Sequence, residues 1–265
     1  MKKIISLIIV TSIMVACSTV PITGRKRLNF VSDAEVLPTS FAQYDAFLKE
    51  NTISTDKAKT QEIKAVGARI AAAVDKFMRK NGMSAEADSY QWEFNLVKDD
   101  QLNAWCMPGG KVVFYTGILP VAKNTDGIAA IMGHEVAHAF AKHGQERMSS
   151  SQIQQYGAMA IEIGTGDADA KTKEMWNMAY GVGSQLGMLK YSRTHETEAD
   201  KLGLVFMIMA GYNGEEAVSV WERMSEIGGG APPEFLSTHP SNSTRISTLK
   251  SYLPEAKKLA AQYGN

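Results

Sequence analysis

The sequence predicts an α+β fold that is mostly helical, with a small β-sheet beside one central helix. From residue 32 onward, most segments repeat their apolar side chains at helical spacing. The exceptions are residues 90–97, which alternate apolar and polar side chains, and residues 111–116, which are rich in Val, Phe and Tyr. Both patterns are typical of β-strands. The central helix is predicted over Ile128–Gly144 and contains the run His134-Glu135-Val136-Ala137-His138.

The other predicted elements follow from local start and stop signals. Ser32 and Glu35 form a capping box that starts the first helix. Thr125 or Asp126 caps the central helix. Before the central helix, the prediction is a helix at 32–49 that resumes after Pro38, a helix at 56–79, and strands at 90–97, 103–107 and 111–116. A Pro-Gly-Gly turn joins the last two strands. After the central helix, the prediction is two helical segments within 145–185, broken at 164–167, and helices at 191–210, 213–227, 243–252 and 255–263.

The first sixteen residues predict a signal peptide and not part of the fold. Two lysines precede Ile4–Val15, a mostly apolar run that is too short to span a bilayer comfortably. Ala16 stands directly before Cys17. This arrangement resembles the lipobox of bacterial lipoproteins, which implies cleavage before Cys17 and its acylation. An uncleaved signal anchor or simple secretion is the alternative.

The lipobox resemblance also implies a location and a domain division. Because Ser18 and not Asp follows the cysteine, the expected location is the bacterial cell envelope, at the outer membrane facing the periplasm. The expected segments are a signal peptide at 1–16, a lipidated N-terminus and tether at 17–31, and one folded domain at 32–265. We expect contact with a lipid bilayer through acylated Cys17.

Charge and cysteine content exclude other classes of protein. The chain has 28 basic and 28 acidic side chains and no basic run beyond residues 25–27, so a nucleic-acid partner is not expected. If Cys17 is lipidated, Cys106 is left alone and no internal disulfide forms. A redox role for Cys106 would need a reactive partner that the sequence does not show.

The central helix carries the chemistry. His134 and His138 are four residues apart, so both imidazoles project from one side of the helix and can reach one metal ion. Glu135 is placed to accept a proton without being a ligand, and the H-E-x-x-H pattern is typical of zinc metallopeptidases. His143, nine residues after His134, would lie on the opposite side and is interpreted as a charge near the helix C-terminus.

A catalytic zinc site needs a third protein ligand. The segment 192–200 offers His195, Glu196 and Glu198. Glu196 is preferred because Asp200 follows it by four residues on the same face, and such a carboxylate can orient a metal-bound histidine. A solvated acidic start of the helix is the alternative interpretation of this segment.

These residues together resemble a known family. The H-E-x-x-H helix followed by a Glu-x-x-x-Asp helix is similar to the gluzincin metallopeptidases. Asn103-Ala104-Trp105 with Pro108-Gly109-Gly110, and Ser192-Arg193 ahead of Glu196, resemble the family of HtpX and the CAAX prenyl endopeptidases. With the lipobox, the chain looks closer to the periplasmic lipoprotein branch that includes LoiP and BepA. The resemblance implies a zincin-type fold and one Zn²⁺ per chain.

The resemblance also implies roles for two later residues. His239 would either stabilise the oxyanion during catalysis or occupy the open zinc position as an inhibitory plug. Arg245 would hold the loop of His239 or pair with an active-site carboxylate. The alternative for His239 is an ordinary turn before a helix.

The expected function is therefore a membrane-anchored zinc endopeptidase that cleaves misfolded or unassembled envelope proteins. Glu135 would be the general base, and the substrate would lie extended along the strand of Asn103, Ala104 and Trp105. The alternative function is a chaperone-like assembly or quality-control protein whose zinc is mainly structural.

Overall fold

The computed structural model describes residues 17–28, 30–166, 168–227, 239 and 243–264. These residues form two compact units. The first unit comprises the described residues up to Glu35 together with His143–His195, and the second comprises Val36–Lys142 together with the described residues from Glu196 onward.

The structure confirms the predicted α+β class. In chain order its elements are β1 (Cys17–Thr19), β2 (Lys26–Leu28), α1 (Asp33–Glu50), α2 (Lys57–Lys80), α3 (Ser84–Ser89), β3 (Glu93–Val97), β4 (Ala104–Met107), β5 (Lys111–Tyr115), a 3₁₀ turn (Thr116–Ile118), α4 (Leu119–Ala122), α5 (Thr125–Phe140), α6 (His143–Gly164), α7 (Ala170–Met209), α8 (Glu215–Glu226) and α9 (Ser243–Gly264). Among the described residues, no helix combines the length and the apolar character needed to cross a bilayer.

The first unit joins a short hairpin to two helices. β1 pairs antiparallel with β2, so the predicted tether contains regular structure. Arg25 donates hydrogen bonds of 2.8 and 2.7 Å to the two carboxylate oxygens of Glu146 on α6. Nε2 of His195, on α7, lies 3.1 Å from Glu146 Oε2. These buried polar contacts link the N-terminal residues to both helices of this unit.

In the second unit, the helix α5 crosses α7 at two glycines. A Cβ atom on Gly133 would lie 2.7 Å from the carbonyl oxygen of Gly203, and a Cβ on Gly203 would lie 2.7 Å from the backbone of Gly133. Neither position can accept a side chain without separating the helices. Phe77, Phe140 and Phe206 pack edge to face beside this crossing, with ring centroids 5.1–5.8 Å apart. The close approach brings the central helix against the segment that begins with Glu196.

A three-stranded sheet lies beside α5. β5 is the middle strand, parallel to β3 and antiparallel to β4. The predicted Pro-Gly-Gly turn is confirmed, and Gly109 and Gly110 adopt φ values of +84° and +86°, which favour glycine. β4 is an edge strand of this sheet and packs against α5.

Two predicted interruptions at proline are wrong. α1 runs through Pro38 without a break, and α9 is one helix through Pro254. A proline removes one backbone donor, but the buried face continues across each of them. In α1 the buried residues are Val36, Ser40 and Tyr44, and in α9 they are Arg245, Leu249, Ala256 and Ala260. Tertiary packing therefore holds both helices together.

The predicted limits of the central helix also need correction. α5 ends at Phe140, not at Gly144, and Lys142 follows with a left-handed φ of +57°. The N-cap is Asn124, whose side chain accepts a hydrogen bond of 2.7 Å from Gly127 N–H. Neither Thr125 nor Asp126 caps the helix.

The segments predicted at 170–185 and 191–210 form one helix of 40 residues, α7. The interval between them contains only a single glycine as a helix-weakening residue, and one glycine does not stop a helix. The predicted break at 164–167 is confirmed, because α6 ends at Gly164.

Candidate active site

The two histidines of the motif face each other across one turn of α5. His134 Nε2 and His138 Nε2 lie 3.2 Å apart, and their side chains are 2% and 8% exposed. The helical spacing of four residues places them on the same side, as predicted.

Glu196 lies against both imidazoles. Its Oε2 is 3.4 Å from His134 Nε2, and its Oε1 is 3.3 Å from His138 Nε2. Of the other two candidates for the third ligand, His195 belongs to the first unit, where it contacts Glu146. Glu198 is buried but is not part of the cluster of possible metal ligands.

His239 completes a cluster of four potential ligands. Its Nδ1 lies 3.3 Å from His134 Nε2 and 3.0 Å from Glu196 Oε2. Its other nitrogen, Nε2, is 3.7 Å from Glu135 Oε1. His239 therefore lies beside the histidines of the motif, as expected. Thr238 and Pro240 lie outside the described residues.

The donor set and its spacing fit a zinc ion. In a tetrahedral site with metal–donor distances near 2.05 Å, the donor atoms are about 3.3 Å apart. His134 lies 3.2–3.3 Å from His138 and His239, and Glu196 lies 3.0–3.4 Å from all three histidines. The donor atoms of the four side chains all lie within 4.8 Å of one another. Imidazole and carboxylate are also the ligand types that zinc accepts. The cluster is therefore compatible with zinc, whether three or all four side chains bind it.

A carboxylate and a guanidinium support the ligand His134. Asp200 Oδ1 lies 3.0 Å from His134 Nδ1, the nitrogen that points away from the cluster. Arg245 donates two hydrogen bonds of 2.7 and 2.6 Å to Asp200, and its Nη1 is 3.1 Å from Glu196 Oε2. All of these groups are buried. Arg245 therefore contacts active-site carboxylates, one of the two arrangements expected for it.

Trp221, on α8, belongs to the same group of residues but was missed by the sequence analysis. Its indole ring lies 3.7 Å from Arg245 Cζ, and its centroid is 5.2 Å from that of the His134 ring. The amphipathic pattern of α8 places this tryptophan on a buried face. That pattern indicates only packing, so it could not reveal which charged residues the ring contacts.

Burial and neighbouring charges set the protonation of the site. Burial raises the pKa of Glu135, and Oε1 of this residue has no hydrogen-bond partner among the described residues. Burial lowers the pKa of His138 to about 3, which keeps its lone pair available to a metal. Burial would raise the pKa of Glu196, but His138 and His134 outweigh it and lower that pKa. Glu196 is consequently anionic.

Among the described residues, the predicted substrate strand β4 is an edge strand of the sheet. The carbonyl of Asn103 accepts a hydrogen bond of 3.1 Å from Tyr115 N–H, so backbone groups of Ala104 and Cys106 point toward the open edge. Asn103 Oδ1 already accepts from Ala104 N–H at 2.9 Å. The side chain of Trp105 packs into the apolar cluster between the sheet and α1.

The remaining candidates are not members of the cluster of possible metal ligands. Cys17 is in β1 of the first unit. Cys106 is a free thiol, and burial, followed by the charge of Glu135, raises its pKa well above the usual value. The interpretation of His143 is wrong: it does not end the central helix but begins α6, where its ring stacks on His195 at 4.1 Å.

Comparison with known proteins gives consistent matches. The sequence profile of Peptidase family M48 matches residues 58–253, which is more than half of the chain. The mitochondrial metalloendopeptidase OMA1 of Saccharomyces cerevisiae is 36% identical over 187 residues, covering 66% of this chain and 51% of that protein. OMA1 of Schizosaccharomyces pombe is 31% identical over 244 residues, covering 90% of this chain and 67% of that protein. The beta-barrel assembly-enhancing protease of Escherichia coli is 22% identical over 214 residues, covering 78% of this chain and 41% of that protein.

These matches correct the expected location. Relatives from yeasts, a plant and animals are named as mitochondrial proteins. These relatives contradict the prediction of a bacterial outer membrane facing the periplasm, which is therefore wrong. The chain spans about half the length of several of the curated relatives that it matches.

Proposed function

Because the chain belongs to Peptidase family M48, whose metalloproteases use zinc, we propose that it is a zinc-dependent endopeptidase. The observation that carries this proposal is the cluster of His134, His138, Glu196 and His239, whose donor atoms lie at the spacing of a zinc tetrahedron, with Glu135 directly beside it. Such a cluster beside a buried carboxylate, whose Oε1 has no hydrogen-bond partner among the described residues, is the arrangement that metal-assisted hydrolysis of a peptide bond requires.

Each residue then has a defined task. His134, His138 and Glu196 hold the zinc ion, which supplies Lewis acidity and lowers the pKa of water. Glu135 accepts a proton from the attacking water and passes it to the leaving amine. The pKa of Glu135 is raised, so it lies closer to neutral pH than the pKa of an exposed glutamate. This suits a group that first accepts a proton and then releases it. Asp200 fixes the ring of His134 through Nδ1, and Arg245 fixes Asp200.

His239 is proposed to close the resting site. Its Nδ1 lies 3.3 Å from His134 Nε2 and 3.0 Å from Glu196 Oε2, which supports a role as a fourth donor. A catalytic zinc site keeps one position for water, so His239 must leave that position before substrate is cleaved. After leaving, it can donate a hydrogen bond to the oxyanion.

The substrate is proposed to be an unfolded or unassembled protein that binds as an extra strand. The outer edge of β4 offers backbone groups of Ala104 and Cys106. Binding by strand addition uses backbone hydrogen bonds and does not require a particular side chain in the substrate. N-methylation of alternate amides in a peptide substrate should therefore raise KM. An equal KM for methylated and unmethylated peptides would contradict binding at this edge.

Three finer assignments are also proposals. The segments around Asn103 and Glu196 resemble those of HtpX and the CAAX prenyl endopeptidases, which supports placement in that branch. The run ending at Cys17 supports contact with a lipid bilayer through acylation of this residue. The same run supports a division into a leader at 1–16, an N-terminal tether at 17–31 and a peptidase domain at 32–265.

The variant Glu135→Gln tests the proposed function. It keeps the size of the side chain but removes the proton acceptor, so it should retain one zinc per chain and lose cleavage of unfolded casein by about 10²-fold or more. Glu226→Gln, at an exposed position near the end of α8, is the matched control and should cleave normally. Undiminished cleavage by Glu135→Gln would refute the mechanism.

A second candidate function is favoured by the same fourth donor. If His239 stays bound, the site has four protein ligands, as structural zinc sites do, and the chain acts as a chaperone-like assembly protein. The variant His239→Ala separates the two functions. Faster cleavage of casein by this variant indicates a latent protease, whereas no cleavage together with suppressed aggregation of unfolded protein supports the chaperone-like function.

A further inference from the structure

Trp221 connects a metal ligand to the residues behind it. The indole contacts two groups from different helices, the imidazole of His134 on α5 and the guanidinium of Arg245 on α9. It approaches the first edge to face, at 71° between the ring planes, and the second over its π face at 3.7 Å. These two groups also meet each other, with Arg245 Nη2 3.5 Å from His134 Nδ1. Only 4% of Trp221 is exposed, so the ring is buried against both groups.

The contact with Arg245 is electrostatic as well as apolar. A guanidinium over the face of a tryptophan is attracted by the ring quadrupole, and the attraction is larger when the cation is desolvated. Arg245 is 4% exposed, and its contacts include the two oxygens of Asp200, one oxygen of Glu196, Nδ1 of His134 and the indole. The indole is therefore one of the groups that hold the guanidinium in place.

This orientation is transmitted to the metal ligand. Asp200 receives Arg245 and also faces Nδ1 of His134, so a turn of the guanidinium changes the carboxylate that fixes the imidazole. Partners of this kind typically alter metal affinity by about 10–100-fold when they are removed. Trp221 also contacts the His134 ring directly, with the ring centroids 5.2 Å apart.

We propose that Trp221 is a positioning residue of the metal centre, which sets the affinity for zinc and the ligand geometry by holding Arg245 and His134 together. This inference rests on the proposed function only in that zinc is the bound ion; it does not require proteolysis. A π face at this position is the property that matters, and not volume alone.

Two variants separate a π contact from simple packing. Trp221→Phe keeps an aromatic face, and Trp221→Leu keeps apolar bulk without one. Trp176→Leu is the matched control, because Trp176 is 52% exposed on α7 and belongs to the other unit. Zinc affinity is measured by competition with a chelating dye, and ligand geometry by the visible absorption spectrum of the Co²⁺-substituted protein.

The expected result is a graded loss. Trp221→Leu should bind zinc about tenfold more weakly or worse and shift the Co²⁺ bands, while Trp221→Phe stays within about threefold of the parent protein. With zinc saturating, the Leu variant should lower kcat for casein more than it raises KM. Trp176→Leu should match the parent protein in both metal measurements.

Two results would overturn the proposal. One is a Trp221→Leu variant with the affinity and Co²⁺ spectrum of the parent protein. The other is an equal loss of zinc affinity in the Leu and Phe variants, in proportion to their loss of thermal stability. That result would show that Trp221 affects the metal site only through packing. If the parent protein binds zinc but cleaves no casein, the proposed function is contradicted. The zinc affinity and the Co²⁺ spectrum would still test the role of Trp221.

Discussion

Replacing Arg245 by methionine should destabilise the metal-free protein strongly, because it leaves two carboxylates buried without their cation. Arg245 makes two hydrogen bonds to Asp200, of 2.7 and 2.6 Å, and lies 3.1 Å from Glu196. Its side chain is 4% exposed, and those of Asp200 and Glu196 are 1% and 5% exposed. Methionine keeps most of the apolar volume and contact with Trp221 but none of the five donors.

The magnitude follows from the burial of the partners. Removing one member of a buried ion pair costs about 3–5 kcal/mol, since the remaining charge is left uncompensated. For a chain of this size, each kcal/mol lowers Tm by about 2–4 °C, so the expected fall in the presence of EDTA is about 6–20 °C. Asp200 carries the larger part of the effect, because Arg245 donates two hydrogen bonds to it, whereas Glu196 has one contact with Arg245 and keeps His138 as well as His134 as neighbours.

Urea and thermal unfolding, followed by circular dichroism, measure this loss. Arg79→Met is the matched control: Arg79 also contacts two carboxylates, Asp75 and Asp88, but it is 46% exposed, so its loss should not change Tm measurably. The double variant Arg245→Met with Asp200→Asn removes both charges and should be more stable than the sum of the two single losses predicts. Additive losses would refute the reasoning.

Three further predictions test other parts of the site. Gly203→Ala should weaken zinc binding by about tenfold or more, because its Cβ would lie 2.7 Å from the backbone of α5 beside His134. The control Gly181→Ala, on the same helix, meets no atom within 4 Å and should leave the zinc affinity unchanged. Equal effects of the two variants on zinc affinity would contradict the helix crossing. His134→Ala should lose zinc after gel filtration as measured by atomic emission, and one retained zinc per chain would refute this ligand. Cys106 in a Cys17→Ser background should react with iodoacetamide at pH 8 about tenfold more slowly than in urea, because burial raises its pKa; equal rates would show an accessible thiolate.

Residues that share one helix could be placed from the sequence. His134 and His138 are four residues apart, and so are Glu196 and Asp200, and the helical period alone predicts that each pair shares a face. The structure has the first pair 3.2 Å apart at Nε2 and places Asp200 3.0 Å from His134. The three strands and the turn at Gly109 were predictable for the same reason, since alternation and turn residues are local signals.

Contacts between distant segments could not be predicted from these periods. His239 reaches Glu196 across 43 residues of chain, and Trp221 reaches Arg245 from a different helix. No spacing rule connects such positions, so His239 and Arg245 were placed by family resemblance, and Trp221 was not placed. The predicted limits of helices were wrong where tertiary packing outweighs a local signal. At Pro38 and Pro254 the helix continues because its buried face is continuous.

The two residues of the C-terminal segment have separable roles in closing and supporting the site. His239 and Arg245 both contact Glu196, at 3.0 and 3.1 Å. Arg245 is also held by Asp200 and Trp221, and it is 4% exposed, whereas His239 is 12% exposed. Opening the site must therefore break the contacts of His239 first, while Arg245 continues to compensate the charge of Glu196. It follows that His239→Ala should keep its zinc while changing cleavage, and that Arg245→Met should weaken the metal site itself. A loss of zinc affinity by His239→Ala as large as that of Arg245→Met would show that the two residues act as one unit.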